Sequence, residues 1–378
     1  MITIPDSLKK YFLSPNYHLT EDNTYYYKAN KYLFDQMRCG VKQDIVSTPL
    51  EGKKHPHFFQ VTDRTCEYAF SSSCWDGMKD DERARTIYLL MRKTMKDRFP
   101  NISEPKLHFI ISQELSHINA EAMFYQKKRS SEQDFVFIKP EYLEKSKGIT
   151  AVSLLTHELQ HHNDFTNIDN KILPYFQEHY LPAVPDFMLT EHIMALNISG
   201  ELYNYKTKKF DPITPELQEQ ILMLKHKTYP LTSSSTIRDF SQVKSQSDMV
   251  QLMEFQAYLN TPLERRAYLT GLECAECVLA KSAEYGITPS HADNIRIGDI
   301  RKFVTSAEQN ARQITALTGV PFAHICNLFQ ERFYLANKLV KSAKARERLN
   351  AINEEIASLA SCFTPNTPSD TKSLTKSL

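Results

Sequence analysis

The most informative stretch of the chain is Thr150-Ala-Val-Ser-Leu-Leu-Thr-His157-Glu158-Leu-Gln-His161-His162-Asn-Asp164. Its apolar residues recur at helical spacing and form one face, at Val152, Leu155 and Leu159. On such a helix His157 and His161 lie one turn apart on the same side. Two imidazoles held one turn apart on a rigid element can bind a divalent metal ion.

The order of these residues is the H-E-x-x-H pattern, in which two histidines bind zinc and the glutamate between them is the general base. A chain with thirteen histidines can show the pattern by chance, on a surface helix with fortuitous histidines. Three features favour the metal site: the helical apolar periodicity, the run of predicted strands before the helix, and its polar outer edge at 162–164.

A catalytic zinc ion takes three protein ligands. The three-histidine version of the motif needs glycine at position 164 and histidine at position 167, but the chain has Asp164 and Asn167, so that version is excluded. A glutamate from a later helix is then the natural third ligand. The best candidate is Glu264, in a segment where Pro262 starts a predicted helix and the small Ala267 allows close helix packing.

The sequence resembles the gluzincin group of zinc metallopeptidases, which pair H-E-x-x-H with a downstream glutamate. The sequence pattern Tyr-x-x-x-Pro-x-Glu-x-x-Ala around Glu264 is similar to that of poorly characterised bacterial and phage-associated members. The resemblance implies that His157, His161 and Glu264 bind Zn²⁺ and that Glu158 is the catalytic base. The stretch 162–263 is longer than in compact members, so Glu191 stays open as the third ligand, with weaker competitors at Glu254, Glu273 and Glu276.

The tetrahedral oxyanion of peptide hydrolysis needs a donor besides zinc, and Tyr258, Tyr268 and His162 are the candidates. Asp164 either orients a histidine or solvates the helix end. By the family fold, the strand Phe135 to Ile138 is expected to be the cleft edge that binds an extended peptide.

Composition excludes several classes of protein. The chain has 41% apolar residues, 24% charged residues and a formal net charge of +1, so it is predicted to be globular, with no nucleic-acid partner. No apolar run is long enough for a membrane span, and no signal peptide is visible. The seven scattered cysteines suit reduced thiols. A cytoplasmic location is predicted, and export without a cleavable signal stays open.

The predicted fold is helix-rich α+β, with a zincin-like core made of a small mixed sheet and the active-site helix. Residues 1–100 form a helical N-terminal region, 101–285 the core with a helical insertion at about 166–247, 286–362 a C-terminal helical region, and 363–378 a disordered tail. Strands are expected at 107–112, 120–125 and 135–138. Beyond Phe165 the pattern predicts almost only helices and loops, including one long helix from Phe322 to Ala360.

The predicted function is zinc-dependent hydrolysis of peptide bonds in a peptide or protein substrate. One alternative is a non-catalytic helical interaction protein, such as a pathogen or phage factor, in which the motif is decorative or its zinc is structural. Another is a zinc hydrolase of a non-peptide amide, since the same ligands serve both reactions.

Overall fold

The computed structural model describes residues 70–78, 83, 86, 107–111, 122–125, 134–233, 235–284, 286–338 and 342–363. Most of the predicted helical region at 1–100 lies outside these residues, as does all but the first residue of the tail predicted at 363–378. The predicted helical character of residues 1–100 therefore stays a prediction.

The described elements confirm a helix-rich α+β protein. In chain order they are α1 (Ser72–Trp75), β1 (Leu107–Ile111), β2 (Ala122–Tyr125), β3 (Asp134–Ile138), α2 (Gly148–Asn167), α3 (Leu173–His179), α4 (Asp186–Met194), β4 (Glu201–Asn204), β5 (Lys209–Pro212), α5 (Pro215–Thr228), α6 (Gln246–Leu259), α7 (Pro262–Glu284), α8 (His291–Thr318), α9 (Phe322–Asn337) and α10 (Ala343–Ser361). Short 3-10 helices at Pro140–Leu143 and Phe240–Gln242 and a π-helical turn at Ile168–Ile172 complete the set. Among the described helices, none is both long and apolar enough to cross a membrane.

The chain divides into two compact units. The first contains residues 1–166 and 266–303, and the second contains residues 167–265 and 304–378. The boundaries between the two units fall within the residue ranges of α2, α7 and α8. The domain boundaries expected from the sequence stay a prediction.

In the first unit, a three-stranded sheet precedes α2, as the strand pattern predicts. Its order is β1-β3-β2, with β1 parallel and β2 antiparallel to β3. The expectation that Phe135 to Ile138 forms a cleft edge is wrong. These residues belong to β3, which is central, and its backbone hydrogen-bonding groups are used by partners on both sides.

The core of the first unit forms where α2 packs on this sheet. The apolar face predicted for α2 is buried together with Val136 and Ile138 of β3 and with residues of α7 and α8. The buried members from the helices are Ile149, Ala151, Val152, Leu155, Leu159, Ala275, Val278 and Ile297. Because these side chains fix the rotation of α2 about its axis, they also fix the direction in which its histidines point.

Helix α7 approaches α2 very closely at Gly271. A Cβ atom added there would lie 2.7 Å from the backbone oxygen of Ser153. Ala267, one turn earlier on α7, is fully buried, in agreement with the prediction that a small residue lets this helix come near. Small residues one turn apart are what such a close helix contact requires.

In the second unit, the described elements are almost all helices and loops, as expected, with one antiparallel hairpin formed by β4 and β5 that the sequence did not predict. Asn204 stabilises its turn by accepting hydrogen bonds from the backbone N–H groups of Lys206 and Thr207 at 3.0 and 3.1 Å. Lys208 occupies the left-handed region with φ of 58°. Glycine is the usual residue at that position of a hairpin turn. Because the chain has lysine there, the sequence does not indicate the turn.

The long helix expected from Phe322 to Ala360 is also wrong. The chain is extended at Lys338, where ψ is 125°, and a new helix begins after Ser342. The Ser342 side chain accepts a hydrogen bond from the Ala345 N–H group, which makes it the N-cap of α10. Capping by serine stabilises a helix start, so this break has a local cause.

Lys225, near the end of α5, is the one charged residue among the largest fully buried side chains of the described chain. Its ammonium group donates a hydrogen bond of 2.6 Å to Asn327 Oδ1. Burial lowers the pKa of Lys225 from 10.5 to about 8, because the interior disfavours the charged form.

We expect this lysine to make stability depend on pH. Between about pH 8 and pH 10.5 the unfolded chain binds more protons at this residue than the folded one, so the free energy of unfolding should rise with pH. Relative to Lys225→Met, the wild type should gain about 2–3 kcal/mol across this interval. Denaturant unfolding of both proteins at pH 7.5 and pH 10 measures the change. A difference that stays constant with pH would contradict the expectation.

The space around Gly271 and Gly298 predicts opposite effects on stability when each of these helical glycines is replaced by alanine. Gly271→Ala should lower the free energy of unfolding by about 1–3 kcal/mol, because the new methyl group meets the α2 backbone. Gly298→Ala is the matched control: nothing lies within 4 Å of a Cβ at that position in α8, so alanine should raise stability by up to about 1 kcal/mol. Unfolding by denaturant distinguishes the two, and a shift of the same sign in both variants would refute the packing argument.

Candidate metal centre

His157 and His161 lie one turn apart on α2, as the spacing predicts, and both are buried. Their Nε2 atoms are 3.1 Å apart, and their rings meet edge to face with centroids 4.7 Å apart. Two nitrogens bound at about 2.05 Å to one tetrahedral zinc ion are separated by roughly 3.3 Å. The two imidazoles therefore converge on a single point at a spacing that suits shared coordination.

Glu264 completes the group. One ligand atom from each of His157, His161 and Glu264 can be chosen so that all three lie within 4.8 Å of one another, and all three residues are buried. Within the described part of the chain, no other set of three such residues meets this condition. A group of two imidazoles and one carboxylate in this arrangement can hold a metal ion.

The position of Glu264 follows from the helix that carries it. Glu264 lies in the first turn of α7, where Pro262 starts the helix and the N-terminal partial charge favours an anion. Two residues later α7 enters the first unit, where it contacts α2 directly. The contact at Gly271 and a hydrogen bond of 3.0 Å from Thr270 Oγ1 to Gln160 Oε1 fix the two helices together.

Asp164 takes part in the same contact. Its Oδ1 atom accepts hydrogen bonds from Gln160 Nε2 at 3.0 Å and from Arg266 Nη1 at 3.4 Å. Burial raises the pKa of Asp164, and the charges of Arg266 and His161 oppose that shift. These contacts tie the carboxylate to Gln160 and Arg266, and an orienting role toward a histidine stays a prediction.

The other predicted residues lie at different places. Tyr268 is next to the histidines, with its ring centroid 4.4 Å from that of His157. His162 is buried on α2, and Tyr258 is half-buried on α6. Glu191 is exposed on α4 and pairs with Lys338, so it does not belong to the metal group. The weaker competitors are also outside that group: Glu254 pairs with Arg332, Glu276 pairs with Arg301, and Glu273 is exposed.

Sequence reasoning missed His226. This residue lies in the last turn of α5, is only 3% exposed, and places its Nε2 atom 3.6 Å from Glu264 Oε1. A histidine near a helix C-terminus ordinarily interacts with the terminal carbonyl groups. No known motif spacing links His226 to Glu264, so the sequence gives no sign that these two residues meet.

Comparison of the chain with protein-family models, with curated proteins and with solved structures finds no match to any of them.

We expect mutations to distinguish Glu264 from Glu191, the other glutamate that the sequence offers as the third metal ligand. His157→Ala and Glu264→Ala should each weaken Zn²⁺ binding by more than about 100-fold, since even residues that only support ligands are worth 10–100-fold. Glu191→Ala removes an exposed carboxylate and should bind Zn²⁺ like the wild type. Competition with a chromophoric chelator measures the affinities. Loss of binding in Glu191→Ala but not in Glu264→Ala would reverse the assignment.

Proposed function

We propose that the protein is a zinc-dependent metalloendopeptidase of the gluzincin type. The observation that supports the proposal best is the buried convergence of His157, His161 and Glu264, with Glu158 in the same helical turn as His157. Two nitrogens and one oxygen are the ligand set of many catalytic zinc sites, and three protein ligands leave a position for exchangeable ligands. Structural zinc sites are closed by four ligands and are usually rich in cysteine.

Bound zinc would supply Lewis acidity, which makes water nucleophilic at neutral pH and polarises a carbonyl group. The protein's own residues handle the protons. The Glu158 carboxylate accepts the proton of the attacking water and then passes it to the leaving amine. Glu158 is buried, and exclusion of bulk water strengthens its interaction with the proton that it carries.

Tyr268 is the best candidate for the additional oxyanion donor among the three proposed residues. Its ring packs against His157, and a tyrosine hydroxyl can donate a hydrogen bond to a developing negative charge. The same contact holds the imidazole in place against rotation. Tyr268 thereby has a packing role in the resting protein and a donor role in the reaction.

A zincin-like core is also part of the proposal. The small mixed sheet, the buried face of α2 and the glutamate on a following helix are what such a core requires. Because β3 is central, an extended peptide would add to one of the described edge strands, β1 or β2, by backbone hydrogen bonds.

The decisive experiment separates metal binding from hydrolysis. Glu158→Gln keeps the size of the side chain and removes the base, so it should bind Zn²⁺ like the wild type. Its kcat on an unfolded protein substrate should fall by about 100-fold or more. Glu201→Gln, on the exposed start of β4, is the control and should leave kcat unchanged.

Three outcomes would count against the proposal. Unchanged turnover in Glu158→Gln would refute its role as base. Zinc-bound wild-type protein that cleaves no peptide would favour the non-catalytic alternative. Cleavage of small N-acyl compounds together with inertness toward peptides would favour an amide hydrolase.

A further inference from the structure

His226 has no place in the mechanism proposed above, yet it is one of the most deeply buried histidines of the described chain. Its Nε2 atom faces Glu264 Oε1 at 3.6 Å. Its Nδ1 atom is buried and has no hydrogen-bond partner among the described residues. Of the two ring nitrogens, Nε2 is therefore the one that faces the Glu264 carboxylate as a polar contact, at a separation slightly longer than a direct hydrogen bond.

Burial of Glu264 makes this neighbour important. A buried carboxylate is costly unless both of its oxygens interact with donors or a cation. Because both side chains are buried and His226 Nε2 faces Oε1, the contact restrains the rotamer of the Glu264 carboxylate. Long acidic side chains otherwise lose rotamer entropy when they bind, so a restraint present before binding should raise metal affinity.

We propose that His226 is a positioning residue that holds Glu264 in the orientation in which it binds the metal. The inference rests on the proposed metal site and deepens it. The histidine that supports the carboxylate ligand lies on α5, a helix that carries no residue of the H-E-x-x-H motif or of the segment around Glu264. His226 acts through Glu264 and need not touch the substrate or the metal. Groups that support ligands in this way are commonly worth 10–100-fold in metal affinity.

A pair of substitutions tests the polar contact with Glu264 separately from packing. His226→Leu fills much of the same space but cannot donate a hydrogen bond, and it should weaken Zn²⁺ binding 10–100-fold. His226→Gln carries an N–H donor near the position of Nε2 and should restore most of the affinity. Competition with a chelator of known affinity gives the values.

The visible absorption of Co²⁺-substituted protein is a second readout that does not depend on activity. A change in how Glu264 coordinates alters the ligand field, so the spectrum of His226→Leu should differ from that of the wild type. The spectrum of His226→Gln should resemble it. Circular dichroism and thermal unfolding of the metal-free proteins establish that each variant is folded.

A matched control is available in the second unit. His324 Nε2 and Glu355 Oε1 form another histidine–carboxylate pair, at 2.6 Å, between residues outside the metal group. His324→Leu should leave zinc affinity and the Co²⁺ spectrum unchanged, whatever it does to stability.

The outcomes distinguish this inference from its premise. Unaltered zinc affinity in His226→Leu would overturn the positioning role, and so would equal weakening in the leucine and glutamine variants, because packing alone would then explain the loss. If the wild type binds no zinc, or binds it as tightly after His157→Ala, the proposed metal site itself fails. Loss of peptide hydrolysis plays no part in this test.

Discussion

The close contact of α7 with α2 is the constraint on which the candidate site depends. At Gly271 the two helices approach so nearly that a single methyl group would meet the backbone of Ser153. Ala267 and Ala275 continue the same small, buried face of α7. Glu264 lies in the first turn of the same helix, and it forms with His157 and His161 the one group of the described residues that could hold a metal ion.

The candidate site buries several polar and charged side chains close together, and removing such groups from water costs free energy. His157, Glu158, His161 and Glu264 are all buried, although charged and polar groups are ordinarily found at the surface. Buried titratable groups that cluster in this way are typical of functional sites. Two further hydrogen bonds join α2 and α7, from Thr270 to Gln160 and from Arg266 to Asp164. A divalent cation would compensate the carboxylate charge further.

The two parts of the fold differ in how readily the sequence reveals them. In the first unit, strands and helix were predicted closely, because β-branched strands and a periodic apolar helix face carry strong local signals. In the second unit, the hairpin at Asn204 to Lys209 was missed because its left-handed residue is Lys208 instead of glycine. The break after Asn337 was missed because both flanking segments have helical periodicity, and neither the extended backbone at Lys338 nor the N-cap at Ser342 is marked by a proline or glycine.

The sequence alone determined the helix around His157 and His161, their common face and the place of Glu158 between them, because 3.6-residue periodicity fixes these relations locally. It also excluded a third histidine from the extended motif. Tertiary structure decided that Glu264 joins the histidines and Glu191 does not, since residues so far apart in the chain meet only through helix packing. It also decided that β3 is central, and it brought His226 to Glu264. Strand order and contacts between distant helices depend on how whole elements pack, which local periodicity does not encode.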